Sequence, residues 1–278
     1  MILPYIALMK LRVVELLLVT TLPALFLAAD GVPPLDITIA TLIGGTLAAG
    51  AANAFNMVIE SDIDKMMERT SKRPIVNEQV TETQALTFAF AISAISLAIF
   101  WVFTNPLATG LTVSAIAFYV FGYTVGLKRR TSQNIVWGGI AGCLPVLIGW
   151  AAVTESLSWT AFWFFMVIFF WTPPHFWALA IKYKDDYEAA GIPMLPVVAP
   201  IKKVTQQMWF HTSAMIVTSL LTLYSAGLSS WTYVVTAILG IGFAYQLRDP
   251  DKNSGPIFHG SITYLSLYSI ALVIGVFV

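Results

Sequence analysis

Long runs of apolar residues alternate with short polar segments from one end of the chain to the other. Each run is about 20 residues long, the length that an α-helix needs to cross the hydrocarbon core of a bilayer. Nine runs are found, at residues 13–29, 37–58, 84–103, 107–127, 133–153, 159–181, 204–226, 231–247 and 257–277. The pattern predicts an all-α fold: a polytopic membrane bundle of nine transmembrane helices, with residues 1–278 forming a single domain.

The charged residues are concentrated in the segments between these runs. If the loops alternate between two sides, all 15 Lys and Arg residues fall on one side, in the segments 10–12, 65–73, 128–130, 182–203 and 248–252. Loops that carry Lys and Arg tend to stay in the cytoplasm, so the N-terminus is predicted to be cytoplasmic. The opposite loops are short and hold only three acidic residues. We therefore expect the chemistry at the cytoplasmic face.

Composition narrows the class of protein further. The chain is 58% hydrophobic and its formal net charge is zero, so nothing indicates a nucleic-acid partner, and the lipid bilayer is the expected environment. The single cysteine, Cys143, has no partner for a disulfide or a thiolate metal site. No transit peptide precedes the first apolar run, which favours a bacterial plasma membrane.

A first acidic group follows the second apolar run. Spacings of three and four residues put Asn53, Asn56, Glu60 and Asp64 on one face if the helix continues, with Asp62 pointing away. Carboxylate and amide oxygens are ligands suited to a magnesium ion that carries a phosphorylated substrate. The alternative is a solvated helix end with local ion pairs. The amides favour a site, because polar groups inside a membrane span are costly unless they face a cavity or a partner.

A second acidic group follows the sixth apolar run. Asp185 and Asp186 are adjacent, and Glu188 lies about one helical turn from Asp185, so their charges repel unless a cation or basic side chains neutralise them. The alternative interpretation is an exposed loop at the membrane surface. Two such groups on the same predicted face favour a shared site.

A basic run, Lys128, Arg129 and Arg130, ends the fourth apolar run. By itself such a run is typical of a topology anchor or of a contact with anionic lipid. Beside two acidic groups it gains a second interpretation, because a metal held by carboxylates together with Arg and Lys donors is a recurring arrangement for binding a polyphosphate leaving group.

Several motifs resemble the UbiA superfamily of intramembrane prenyltransferases. They include the Asn-rich acidic stretch that ends in Met67-Glu-Arg-Thr-Ser-Lys-Arg-Pro, and the segments Leu127-Lys-Arg-Arg-Thr-Ser-Gln-Asn, Trp171-Thr-Pro-Pro-His-Phe-Trp and Tyr183-Lys-Asp-Asp-Tyr-Glu. These motifs are similar to the haem-using branch of the superfamily, and the resemblance runs from about residue 5 to the last apolar run.

The resemblance implies a ring of nine helices around a central cavity. It also implies that a farnesyl group passes from farnesyl diphosphate to a vinyl group of haem b, with Mg²⁺ as cofactor and haem O as product. Haem O feeds the assembly of terminal oxidases, so haem-handling or oxidase-assembly proteins are candidate partners. Other interpretations are a UbiA-type enzyme with an aromatic or quinone-precursor acceptor and, in a different class, a secondary transporter.

The resemblance and the charge pattern together assign roles to particular residues. The expected catalytic residues are Asn53, Asn56, Glu60, Asp64, Asp185 and Asp186, and all of them except Asn53 are expected metal ligands. The expected diphosphate-binding residues are Arg69, Lys72, Arg73, Lys128, Arg129 and Arg130. His175 is expected to contact haem, although a buried histidine bonded to a neighbouring carbonyl also fits its apolar surroundings.

Overall fold

The computed structural model describes residues 2–278, and in that range the regular structure is entirely helical. Nine long helices, named α1 to α9 in chain order, span Leu11–Ala29, Leu35–Ile59, Glu82–Phe103, Pro106–Leu127, Asn134–Thr154, Trp159–Lys182, Ile201–Ser225, Ser230–Gln246 and Pro250–Gly275. Four short helices occupy the polar segments, at Leu3–Leu8, Ser61–Met66, Lys184–Ala189 and Leu195–Val198.

The all-α membrane class predicted from the apolar runs is confirmed. Seven of the nine long helices are long and apolar enough to cross a bilayer. Of the other two, α7 begins with several polar residues, and α8 is only 17 residues long. That all nine helices cross the membrane therefore stays a prediction.

Side chains that cap helix ends fix where several helices begin. Thr81 and Gln84 form a reciprocal capping box at the start of α3, and the side chains of Asn105 and Ser158 accept hydrogen bonds from the first turns of α4 and α6. Each cap satisfies backbone N–H groups that have no partner inside the helix. Asn105 also donates to the carbonyl of Ala151, which ties α4 to α5.

Consecutive long helices pack against each other, and α9 packs on α1, so the helices form a closed ring. In addition, α1 packs on α5, and α6 packs on α9. The short polar segments at one end of the ring are thereby brought together around the start of α1 and the ends of α2 and α4.

The two parts of the ring are filled differently. Between α6 and α9 the interior is occupied by large buried side chains, including Phe164, Trp177, Met215, Tyr264 and Tyr268. The interior among α1, α2, α4 and α5 is lined largely by small residues, including Gly45, Ala48, Ala52, Ala141 and Gly142. A cavity therefore lies among α1, α2, α4, α5 and α6, where the side chains leave space.

Candidate active site

The cavity has an apolar interior and a charged mouth. Its volume is about 310 Å³, which is within the range of small-molecule sites. Leucine, isoleucine, alanine and glycine residues make up nearly half of its lining. The charged and amide side chains that line it come from the start of α1, the ends of α2 and α4 and the loop after α2: Lys10, Asn53, Asn56, Glu60, Arg69, Arg73 and Lys128. The site can thus hold a molecule with a long apolar part and a charged end.

Asn53 and Asn56 attach the N-terminal corner to the cavity mouth. This corner is the turn at Met9 and Lys10, between the short helix Leu3–Leu8 and α1. Asn53 donates to the carbonyl of Met9 over 2.9 Å. The Oδ1 atom of Asn56 accepts from Lys10 over 2.7 Å, and its Nδ2 atom donates to Thr124. Both amides are buried. The Met9 carbonyl and the side chains of Lys10 and Thr124 therefore provide hydrogen-bond partners for these amides, which would be costly to bury in the span without partners.

Glu60 forms a buried ion pair with a residue from another helix end. Its Oε2 atom lies 2.6 Å from the Nζ atom of Lys128, and only 1% of the residue is exposed. Its other carboxylate oxygen, Oε1, is buried and has no hydrogen-bond partner in the described chain. A buried carboxylate oxygen without a partner is costly, so this atom is suited to a ligand.

Asp64 is neutralised in the same way. Its Oδ2 atom lies 2.5 Å from Nη1 of Arg73, and the aspartate is buried. The carbonyl of Asp64 also accepts a hydrogen bond from Thr70, which holds the loop after the short helix in place. The two buried acids of the first acidic group thus each carry a cation that also lines the cavity.

The predicted face of the first acidic group is confirmed, although the helix does not run on unbroken. α2 ends at Ile59, and the short helix Ser61–Met66 follows a kink at Glu60. The amide of Asp64 still bonds to the carbonyl of Glu60, which preserves the helical spacing. Asp62 points outward and pairs with Arg129 through two hydrogen bonds. The alternative of local ion pairs is wrong for this group, because its partners Lys128 and Arg73 are distant or outside the helix.

The second acidic group reaches the mouth only in part. It lies on the short helix Lys184–Ala189. Asp186 is half-buried and its Oδ2 atom lies 3.5 Å from the backbone nitrogen of Arg69, whereas the side chain of Asp185 is exposed. Tyr187, which follows them, is buried and lines the cavity. The metal role expected for Asp185 and Asp186 stays a prediction.

The expected diphosphate-binding residues divide into two sets. Arg69, Arg73 and Lys128 line the cavity. Lys72, Arg129 and Arg130 are exposed, and none of the three lines it. Arg129 is instead held by Asp62 on the outer surface.

The last part of α4 brings in two tyrosines that sequence reasoning missed. Over Phe118–Leu127 this helix is wound as a π-helix, in which hydrogen bonds join residues five apart, as from the Lys128 amide to the Tyr123 carbonyl. This winding puts Tyr119, Tyr123 and Lys128 on the cavity wall. The signal was a pair of phenols four residues apart within an apolar run.

His175 is buried between two aromatic rings, 4.3 Å from Trp171 and 4.5 Å from Phe258 between ring centroids. Its Nδ1 atom lies 2.7 Å from the hydroxyl of Ser261. Trp171 lines the cavity, and its indole donates to the carbonyl of the same serine. His175 thus packs against the side of Trp171 that faces away from the cavity. A haem contact by the His175 ring stays a prediction.

Burial changes the acid–base properties of the cations at the mouth. Burial and the neighbouring Arg73 lower the pKa of Lys10 well below its usual value. Burial also lowers the pKa of Lys128, an effect that the Glu60 carboxylate opposes. An arriving anion favours the charged form of both side chains, because each gains a further partner of opposite charge.

The donor set at the mouth fits a magnesium ion that takes some of its ligands from a substrate. Asn56, Glu60 and Asp64 offer the amide and carboxylate oxygens that magnesium prefers. In residues 2–278, no three His, Cys, Asp or Glu side chains are close enough to hold a metal by themselves. Magnesium sites that use one or two carboxylates and substrate phosphates are common.

Residues 17–270, most of the chain, match the model of the UbiA prenyltransferase family. The chain belongs to this family. Two relatives are protoheme IX farnesyltransferases. The protein of Pseudarthrobacter chlorophenolicus is 50% identical over 285 residues, covering 99% of this chain and 89% of that protein. The protein of Frankia alni is 50% identical over 279 residues, covering 97% and 96%.

Solved structures of other proteins have the same fold. A structure of digeranylgeranylglyceryl phosphate synthase matches with a TM-score of 0.80 at 14% identity, over 98% of this chain and 97% of that one. The UbiA homologue of Archaeoglobus fulgidus, bound to DMAPP and Mg²⁺, matches with a TM-score of 0.69 at 15% identity, over 97% and 98%. The protein is accordingly a multi-pass membrane prenyltransferase of the UbiA family.

Proposed function

We propose that the protein transfers the farnesyl group of farnesyl diphosphate to a vinyl group of haem b and so produces haem O. The observation that carries the proposal is the charged mouth of the cavity, where the buried oxygens of Asn56, Glu60 and Asp64 are bonded to Lys10, Lys128 and Arg73, respectively. The names of relatives that are 50% identical over nearly the whole chain support the choice of both substrates.

The diphosphate lies at the mouth, because all the cations that line the cavity within residues 2–278 are there. Arg69, Arg73 and Lys128 reach it from the cavity wall, and Lys72, Arg129 and Arg130 contribute positive charge from outside. Lys128 and Arg73, which now bind carboxylates, exchange part of those contacts for phosphate oxygens. Donors arranged in advance around a leaving group stabilise the charge that develops there.

The residues that would hold Mg²⁺ are Asn56, Glu60 and Asp64, with Asp186 and the neighbouring Asp185 supplied by the second acidic group. The free Oε1 atom of Glu60 provides one ligand position. When bound, the ion neutralises diphosphate charge and so makes the diphosphate a better leaving group.

The farnesyl chain lies in the apolar interior, where its burial contributes about 0.8 kcal/mol per CH₂ group. When the bond between carbon 1 of farnesyl and the diphosphate oxygen breaks, its electron pair leaves with the diphosphate. The terminal vinyl carbon of haem then forms a bond to the allylic cation. Water adds to the inner vinyl carbon and loses a proton, which leaves a hydroxyethylfarnesyl group. The apolar wall keeps water from reaching the allylic cation first.

The charged mouth faces the cytoplasm in this proposal, and the protein lies in a bacterial plasma membrane. The positions of all 15 Lys and Arg residues on one side of the alternating loops support this orientation.

The test is mass spectrometry of the haem extracted after the purified protein has been incubated with haem b, farnesyl diphosphate and Mg²⁺. The expected product is haem O, and its formation should stop when the metal is chelated. A parallel incubation with 4-hydroxybenzoate as acceptor serves as a comparison. Prenylation of 4-hydroxybenzoate without any haem O would refute the choice of acceptor, and no covalent product with either acceptor would count against an enzyme and favour a transporter.

A further inference from the structure

A second pocket lies beside the cavity mouth, between the N-terminal corner and the loop that follows the short helix Ser61–Met66. Its volume is about 270 Å³, and four cations line it: Lys10, Arg12, Arg69 and Arg73. No acidic side chain lines this pocket in the part of the chain that the structure describes. It shares Lys10, Arg69 and Arg73 with the main cavity, so the two spaces adjoin.

Three of these cations have no ion-pair partner in residues 2–278. Arg73 is paired with Asp64, but Lys10, Arg12 and Arg69 form no ion pair with any carboxylate in residues 2–278. Positive charge that is gathered at a pocket without an internal counter-ion favours binding of an anion.

The corner that presents these cations is held in an uncommon conformation. Lys10 has a φ of 51° and a ψ of 54°, in the left-handed region that residues other than glycine rarely adopt. Asn53 holds the carbonyl of Met9, and Asn56 holds the Lys10 side chain. Strained backbone that neighbouring residues fix in this way is concentrated at functional sites.

The proposed reaction requires two anion sites, since both substrates have a charged end and an apolar end. The acceptor carries its two carboxylates on one edge of the ring and its vinyl groups on the opposite edges. Carbon 1 of farnesyl is bonded to the diphosphate, so the vinyl carbon must meet it where the apolar interior adjoins the mouth, and charged groups are costly inside that interior. The carboxylate edge of the acceptor must therefore point to the mouth, next to the diphosphate.

We propose that the pocket between Lys10, Arg12, Arg69 and Arg73 binds the two carboxylates of the acceptor and so directs its vinyl edge into the cavity. The assignment rests on the proposed function, which supplies an acceptor with carboxylates. The diphosphate takes the part of the mouth that contains acidic residues, where Glu60 and Asp64 lie. The acceptor takes the part that contains only cations.

Arg12 is the residue that separates this proposal from the diphosphate site, because it lines the second pocket and not the main cavity. The test titrates purified protein in nanodiscs with haem b, followed by absorbance, and repeats the titration with the dimethyl ester of haem b, which lacks the carboxylate charges. Variants are Arg12→Ala and Arg12→Lys, and the control is Lys202→Ala, an exposed residue at the start of α7.

Arg12→Ala is expected to bind haem b about tenfold more weakly than the unchanged protein does, since the lost interaction is with a charged carboxylate. Its affinity for the dimethyl ester should equal that of the unchanged protein. Arg12→Lys should recover part of the affinity, because it keeps the charge but loses the planar donor pair. Lys202→Ala should bind haem b and the ester with unchanged affinity. The KM for farnesyl diphosphate should be the same in all variants.

Three results would overturn the assignment. An equal loss for haem b and its ester would show that Arg12 does not bind the carboxylates. A rise in the KM for farnesyl diphosphate with unchanged haem affinity would make the pocket part of the diphosphate site. A loss seen only in nanodiscs with phosphatidylglycerol, and not in neutral lipid, would assign the pocket to a lipid headgroup. If the unchanged protein forms haem O, each of these results leaves the proposed function intact. Failure of the unchanged protein to bind haem at all would refute both proposals.

Discussion

Glu60 combines two properties that rarely occur together in one side chain. It is buried and bonded to Lys128 through one oxygen, while its other oxygen has no partner. Because an unpaired buried oxygen raises the free energy of the folded protein, its presence at the mouth of a cavity supports the proposed ligand role of Glu60.

Replacing Glu60 with Gln should lower the rate of haem O formation about 10²-fold, because the mouth loses the charge that organises the leaving group site. The matched control is Asp62→Asn, two residues away, where the carboxylate is exposed and paired with Arg129. Such surface pairs contribute little, so this variant should keep nearly full activity. Haem O is measured per amount of folded protein in membranes. Similar losses in both variants would contradict the special role of Glu60.

The face occupied by Asn53, Asn56, Glu60 and Asp64 was predictable from the sequence, because it depends only on helical spacing. Their partners were not. Lys128 lies 68 residues from Glu60, and Lys10 lies 46 residues from Asn56, so these contacts depend on how the helices pack. The orientation of Asp185 and Asp186 was equally inaccessible, since their short helix starts after a break at Tyr183 that resets the direction of its side chains.

At the scale of helices, the corner between Leu3–Leu8 and α1 depends on α2. Two amides of α2 hold it: Asn53 binds the carbonyl of Met9, and Asn56 binds the side chain of Lys10. Asn53 thus acts as a positioning residue in the structure, because it shapes the backbone that presents Lys10 to both pockets.

Asn53→Ala should loosen this corner, since the lost hydrogen bond is worth about 1 kcal/mol and its carbonyl partner is left unsatisfied. Hydrogen–deuterium exchange of residues 3–12 should become faster, while exchange in α6 stays unchanged. Thr46→Ala is the control, because Thr46 bonds only to Leu42 within the same helix α2. Unchanged exchange at the corner in Asn53→Ala would mean that other contacts hold it.

The helix bounds show what apolar patterns can and cannot predict. The predicted run 84–103 corresponds to Glu82–Phe103, and the run 204–226 to Ile201–Ser225, so length and hydrophobicity place the helices to within a few residues. The π-helical winding of Phe118–Leu127 was not predicted, because the apolar pattern of this segment is the same as that of a membrane-spanning α-helix. The winding is visible only in the hydrogen bonds, yet it decides where Tyr123 and Lys128 point.

At the scale of the whole molecule, two glycines leave part of the cavity open. A Cβ atom at Gly45 or Gly142 would meet no heavy atom within 4 Å, and both residues line the cavity. The missing side chains at these positions therefore contribute directly to the space that is available for the proposed substrates.

Gly142→Leu should lower haem O formation at least about tenfold, because the new side chain occupies volume that the substrates need. Gly242→Leu is the matched control: it also has open space, but it lies on the outer face of α8. Both variants gain similar helix propensity, so their melting temperatures should be similar while their activities differ. Full activity of Gly142→Leu would show that this part of the cavity is not used.

The unequal filling of the ring separates two kinds of genetic defect. Tyr264, Tyr268 and Trp177 fill the interior between α6 and α9, so truncating them leaves voids that deplete the protein from the membrane. Substitutions that enlarge the small residues around the cavity have the opposite effect: the amount of protein stays normal, but it makes no product. A saturation survey that scored abundance and haem O side by side would thus sort its alleles by the half of the chain in which they fall.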